Sequence, residues 1–147
     1  MSNFDPVDIL IVEDNPNDAE LTIRALKKQN IANEIYVVGD GEEALDFVFC
    51  RGKYSSRNPA KPLKVIFLDL KLPKLNGLET LKEIKSNEIT KKQPVVILTS
   101  SREDPDIKAA YELGANGYVI KPVDFDDFLR AMQNTGFYWL LVNQAPK

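Results

Sequence analysis

Val65-Ile66-Phe67-Leu68-Asp69 is a run of four apolar residues that ends on a carboxylate, and its reading decides the fold. Four uninterrupted apolar residues cannot belong to a strand with one face in water, which would alternate. Four more runs share this character: 9–12 (ILIV), 35–38 (IYVV), 95–98 (VVIL) and 118–120 (YVI). Helical patterns alternate with the runs. Asn15-Pro16 offers a cap and then proline at the first helical position, after which Ala19, Ile23 and Leu26 share a face. A second helix is expected from Gly41-Glu42, with Ala44, Phe47 and Val48 inward. A third follows Asn76-Gly77, carrying Leu78 and Leu81. A fourth opens at Asp104-Pro105, again as cap then proline, and stops at Gly114. A fifth starts at Asp124 with Phe125, Phe128, Leu129 and Met132. Such βα alternation with short connections predicts an α/β fold: a (βα)5 doubly wound parallel sheet, flavodoxin-like, in strand order 2-1-3-4-5.

In an open parallel sheet, ligands bind beyond the carboxyl ends of the strands, where the strand order reverses, here between the first and third. The residues that follow each run are Glu13 and Asp14, then Asp69, then Thr99, Ser100 and Ser101, and finally Lys121-Pro122. The second strand ends in Gly39-Asp40 at the edge, too far away to contribute. Three carboxylates, a hydroxyl and an ammonium should therefore share one crevice. Clustered carboxylates repel, and a hard divalent cation such as Mg²⁺ suits all-oxygen ligands. A carboxylate can attack a phosphoryl group to give an aspartyl-phosphate, whose oxygens a metal, a lysine and a hydroxyl would stabilise. Taken singly, each residue has a plainer reading: Asp14 and Asp40 as helix caps, Thr99 as a strand terminator, Lys121 as a surface lysine. Their coincidence at four strand ends favours the shared site.

Composition narrows the alternatives. The chain has 147 residues, 44% hydrophobic and 28% charged, an ordinary single globular domain (residues 1–147, core about 7–135). A net charge of −3 argues against nucleic acid as a partner. No apolar run approaches a membrane span, and the polar start is unlike a signal peptide, so a cytoplasmic protein is expected. The one cysteine, Cys50, reads as a small buried residue late in the second helix. There is no histidine, which removes Ser-His-Asp and Cys-His catalysis; a phosphohistidine would have to come from a partner. Two stretches depart from the regular pattern. Residues 51–62 (RGKYSSRNPAKP) form a basic, proline-containing loop, read as solvated. Residues 136–147 form an extension whose Phe137, Tyr138, Trp139, Leu140 and Leu141 are too apolar to leave in water.

The acidic pair, the Asp, the Thr, the Lys-Pro and the loop DLKLPKLNG (69–77) together resemble the receiver domains of two-component response regulators, over nearly the whole chain. The resemblance implies that Asp69 accepts a phosphoryl group from the phosphohistidine of a sensor histidine kinase. It implies Mg²⁺ on Asp14, Asp69 and the Lys71 backbone carbonyl, with Glu13 acting through water. Lys121 would hold one phosphoryl oxygen, and Thr99 another, moving towards it while the switch aromatic Tyr118 turns inward. Lys71 and Ser101 depart from the commoner residue types beside the phosphoryl group and are expected to set the phosphate's lifetime. The short chain, the basic loop and the aromatic tail are similar to the stand-alone regulators of cyanobacterial phytochromes. Phytochrome as the kinase, an unknown downstream protein target and a homodimer through the last helix and the tail (Phe137, Tyr138, Trp139, Leu140) are the expected partners. The chain is then a signalling protein rather than an enzyme. Rival readings are an unphosphorylated pseudo-receiver, an aspartyl-phosphate phosphatase, which would need an acid where Lys71 stands, and a flavin carrier, whose phosphate Glu13-Asp14 would repel.

Overall fold

A computed structural model of the chain describes residues 4, 6–28, 34–121, 126 and 130. Its elements run β1 (Val7–Val12), α1 (Pro16–Lys28), β2 (Glu34–Val38), α2 (Gly41–Val48), a single 3₁₀ turn (Gly52–Tyr54), β3 (Val65–Leu68), α3 (Gly77–Ser86), β4 (Val95–Thr99), α4 (Asp104–Glu112) and β5 (Gly117–Ile120). All strands are parallel, in the order β2-β1-β3-β4-β5. Of the expected fifth helix only Asp126 and Arg130 are described, both helical, and the expected self-association surface and the tail 136–147 lie outside the described residues.

The run that opened the reading shows why it is uninterrupted. Ile66 and Leu68 join one buried cluster with Leu10, Val12, Phe47, Leu81 and Ile97. Val65 and Phe67 join the other, with Ile9, Ile11, Leu26, Val96 and Leu98. Period-two alternation thus persists, but helices cover both faces, so both sets must be apolar. Each large side chain buried this way contributes about 1.5–3 kcal/mol. β3 lies at the centre of this sheet and is held from both sides, which fixes where Asp69 emerges.

Three expectations need correction. α2 ends at Val48, so Cys50 lies beyond it, half-buried and with a left-handed φ of 55° rather than helical. α4 begins one residue earlier than expected: Glu103 takes the cap position without a side-chain bond, and Asp104 is already helical. The basic loop is not simply solvated. Tyr54 and Arg57 within it are buried, and Arg57 stacks its guanidinium 4.2 Å from the centre of the Phe47 ring.

Candidate functional site

The sheet ladder carries on past the strand ends and draws the polar residues together. The Glu13 amide donates to the Val38 carbonyl (3.0 Å), the Asp69 amide to that of Val12 (3.1 Å) and the Lys121 amide to that of Thr99 (2.8 Å). Asp14 is not the helix cap that it could have been. Asn15 fills that role, its Oδ1 accepting from the amides of Asn17 (2.9 Å) and Asp18 (3.2 Å). Asp40, by contrast, is a cap and no more than that towards the crevice, accepting from the Glu43 amide at 2.7 Å.

The loop after Asp69 is shaped by its own sequence. Asn76 and Glu79 form a reciprocal capping box that starts α3. Gly77 donates to the Leu70 carbonyl at 2.9 Å, and a β-carbon there would lie 2.1 Å from the Asp69 carbonyl oxygen. Only glycine lets the start of α3 press against the backbone of Asp69. The Lys71 amide donates to Asp69 Oδ1 at 3.2 Å, while its own side chain is exposed.

Lys121 is the hub. Its Nζ donates to Glu13 Oε1, to Asp69 Oδ2 (2.9 Å) and to Asp18 Oδ2 (3.2 Å). Asp18, one turn into α1, is a site residue that the strand-end reading missed; its i+4 spacing from Asp14 was the available signal. Carboxylate oxygens of Glu13, Asp14 and Asp69 lie within 4.8 Å of one another. One ammonium cannot balance these groups. Burial pushes the Glu13 carboxyl up to about 7, against its bond to Lys121 and with the charge of Asp69 adding to the rise. Burial alone would lower the Lys121 ammonium, but bonds to Glu13 and Asp69 outweigh it and hold the group firmly charged. A cluster of oxygen donors with unbalanced negative charge fits a hard divalent cation. Asp14, Lys71 and Asn76 border a cleft of about 430 Å³ at this point.

On the other side of Asp69, Thr99 is fully buried at the end of β4. Its Oγ1 accepts a long 3.4 Å bond from the Ser101 amide. Ser101 Oγ donates to Asp106 Oδ2 at 2.5 Å, and Asp106 borders the same cleft as Asp14. Asp106 is the second residue missed from sequence; nothing in a helical first turn distinguishes it from a dipole partner. Tyr118 is half-buried and donates to the Ser101 carbonyl at 3.1 Å, and burial raises its hydroxyl above the usual tyrosine range. Of the expected site residues, Glu13, Asp69 and Lys121 therefore meet directly, the exposed Asp14 brings a carboxylate oxygen within 4.8 Å of the other two carboxylates, Lys71 flanks Asp69, and Thr99, Ser101 and Tyr118 form a connected group beside them. Phe137, Tyr138, Trp139 and Leu140 lie outside the described residues.

Comparison with known proteins adds independent findings. The family model "Response regulator receiver domain" matches residues 9–133. The response regulator Rcp1 of Synechocystis sp. is 39% identical over 135 residues, covering 92% of this chain and 90% of its own. Among solved structures, the bacteriophytochrome response regulator AtBRR is 50% identical with a TM-score of 0.80, over 92% of this chain and 96% of that one. The Mn²⁺-bound form of Rcp1 is 37% identical with a TM-score of 0.76, over 95% and 98% of the two chains.

Proposed function

Since the chain belongs to the family of response regulator receiver domains, we propose that Asp69 is its phosphoacceptor and that residues 1–147 work as one receiver. The observation that carries this is the placement of a buried Asp69 carboxylate 2.9 Å from the Lys121 ammonium and within 4.8 Å of two further carboxylates. An Asp69 oxygen attacks phosphorus in a donor phosphohistidine. The P–N bond breaks, its electron pair goes to the imidazole, and a proton neutralises the departing nitrogen. Lys121 holds a phosphoryl oxygen, and Thr99 supplies a hydroxyl to another. Mg²⁺, when bound, neutralises charge on the transferring group; Asp14, Asp69 and the Lys71 carbonyl would hold it, with Glu13 acting through water. The divalent ion bound by the related Rcp1 supports such a site here.

Incubation with acetyl phosphate and Mg²⁺ tests the proposal. One labile phosphate is expected, absent in Asp69→Ala. Stable, unlabelled wild-type protein would favour the pseudo-receiver instead. Lys71 and Ser101 set the lifetime of the phosphorylated state, and Ser101 acts under the hold of Asp106; swapping either for other residue types and timing phosphate loss checks this. Tyr118 is the switch aromatic, released from the Ser101 carbonyl as Thr99 moves.

The donor is a sensor histidine kinase, and the naming of relatives as phytochrome and bacteriophytochrome response regulators favours a phytochrome. The output is contact with a protein target, from the cytoplasm; no helix among the described residues is long and apolar enough to cross a membrane. Self-association through the last helix and Phe137–Leu140 is tested by ultracentrifugation before and after deletion of 137–147. A monomer in both would refute it.

A further inference from the structure

The basic loop has no part in the phosphoryl chemistry, yet it walls a second cavity. That cavity, of about 450 Å³, is bounded by the end of α2, the loop and the segment between α3 and β4. Leu63, Lys64 and Pro94 immediately precede β3 and β4, so it opens at the amino ends of the strands, the opposite edge of the sheet from Asp69.

Its walls are apolar: Val48, Phe49, Pro62, Leu63 and Ile89, the last 81% exposed at the rim. Its charged lining is all of one sign, Arg57, Lys61, Lys64 and Lys92, with no Asp or Glu among the described residues that line it. In a chain of net charge −3 this is a local reversal. Lys61, Lys64 and Lys92 are exposed and form no ion pair with the described residues. Arg57 sits deeper, 5% exposed, donating to the Phe47 carbonyl and lying 3.6 Å from Cys50 Sγ.

The walls are also fixed before any ligand arrives. Thr90 Oγ1 donates to the Ile84 carbonyl (2.6 Å), Lys85 Nζ to that of Gln93 (2.6 Å), and the Lys64 amide to that of Asp8 (2.7 Å). A pre-formed, largely apolar cavity within the ~300–1,000 Å³ of small-molecule sites, with a few convergent polar groups, has the size and lining that such sites share. We propose that this cavity is a binding site for a small organic anion with an apolar body, the hydrocarbon lying on Phe49, Leu63 and Ile89 and the anionic head among Arg57, Lys64 and Lys92. A cationic amphiphile would meet repulsion at the same rim, and a fully polar anion would leave the apolar walls uncovered.

Decanoate, with decylammonium as the opposite-charge control, is titrated into the isotope-labelled full chain and followed by amide chemical shifts. Saturable shifts confined to 48–50, 57–64 and 89–94 are expected. Decanoate should bind at least about tenfold more tightly than decylammonium, and the double variant Lys64→Glu, Lys92→Glu should bind it about tenfold more weakly. Ile89→Asp should weaken it as well, and neither variant should alter labelling of Asp69 by acetyl phosphate. Equal affinity for both amphiphiles, undiminished binding by the charge-reversed variant, shifts elsewhere on the domain, or no saturable binding would each overturn the proposal. Because Asp69 labelling is read separately, failure here leaves the phosphoacceptor reading standing.

Discussion

Replacing Lys121 by methionine should destabilise this domain far more than an ordinary lysine substitution, and reversibly so. The side chains of Lys121, Glu13 and Asp69 are only 9%, 5% and 9% exposed, so Lys121→Met keeps the packing and strands two buried carboxylates. Removing one partner of a buried pair costs about 3–5 kcal/mol. Asp18 is 37% exposed, and its share of the bond adds little. For a domain of this size, each 1 kcal/mol moves Tm by ~3 °C, so a fall of about 10–15 °C is expected near neutral pH. Glu13 supplies the pH dependence. Its pKa of about 7 lies above the ordinary 4.5, so the native state keeps a proton that the unfolded chain has lost. Stability from that proton is full below 4.5 and fades as pH rises through about 7. In the variant, the bond that lowers Glu13 is gone, the pKa climbs further, and protonation compensates over a wider range. Melting curves at about pH 5.5 and about pH 8 should therefore show the deficit shrinking at the acid end. Added Mg²⁺ should recover stability near pH 8 if, as proposed, the folded cluster holds it, since the unfolded chain offers no such assembled site. A deficit under ~1 kcal/mol, or one equal at both pH values and indifferent to Mg²⁺, would refute the charge argument.

Three further substitutions probe the same region. Gly77→Ala drives a β-carbon to 2.1 Å from the Asp69 carbonyl oxygen, against backbone that cannot yield cheaply. A loss of about 3 kcal/mol or more in urea unfolding is expected, with slower acetyl phosphate labelling as Asp69 is displaced. Asp18→Asn should change stability by under ~1 kcal/mol but release Lys121 for the phosphoryl group, raising the labelling rate about twofold. Tyr118→Phe removes the bond to the Ser101 carbonyl, at a cost of about 1 kcal/mol in stability, and should raise affinity for a phosphate mimic such as beryllofluoride.

The strands and the crevice were legible because both follow from one-dimensional patterns. Continuous apolar runs mark strands buried on both faces, and parallel connection fixes which residues follow each strand at the ligand-binding edge. The loop 69–77 was legible only by its likeness to the family's pattern; the structure supplies the local reasons, a cap at Asn76 and a close approach of Gly77 to Asp69. Asp106 was not legible, and Asp18 only through its i+4 spacing from Asp14, because an acidic residue in a first turn is equally expected as a partner for the helix dipole. Their roles depend on groups distant in the chain or across a turn, Lys121 for one and Ser101 for the other. The basic loop misled for the opposite reason. Its charges predict solvation, and only the tertiary stacking of Arg57 on Phe47 draws it inward.

The charge imbalance also indicates how a phosphoryl group on Asp69 would be felt elsewhere. Before transfer, Lys121 is divided among Glu13, Asp18 and Asp69. A phosphoryl group carries more negative charge than the carboxylate that it modifies, so it would compete strongly for that ammonium, and a divalent cation held by Asp14 and Asp69 would become more necessary. Lys121 cannot shift far alone, since its amide is tied to the Thr99 carbonyl at 2.8 Å. Thr99 has the cheapest bond to give up, the 3.4 Å contact from the Ser101 amide, which is long enough to be weak. Turning its hydroxyl to a phosphoryl group would therefore loosen Ser101 first, and Ser101 is bonded to both Tyr118 and Asp106. The segment 99–101 is short and its outward partners lie on α4 and β5, so on the proposed reading a local gain of charge at Asp69 would be converted there into a change of the α4–β5 surface.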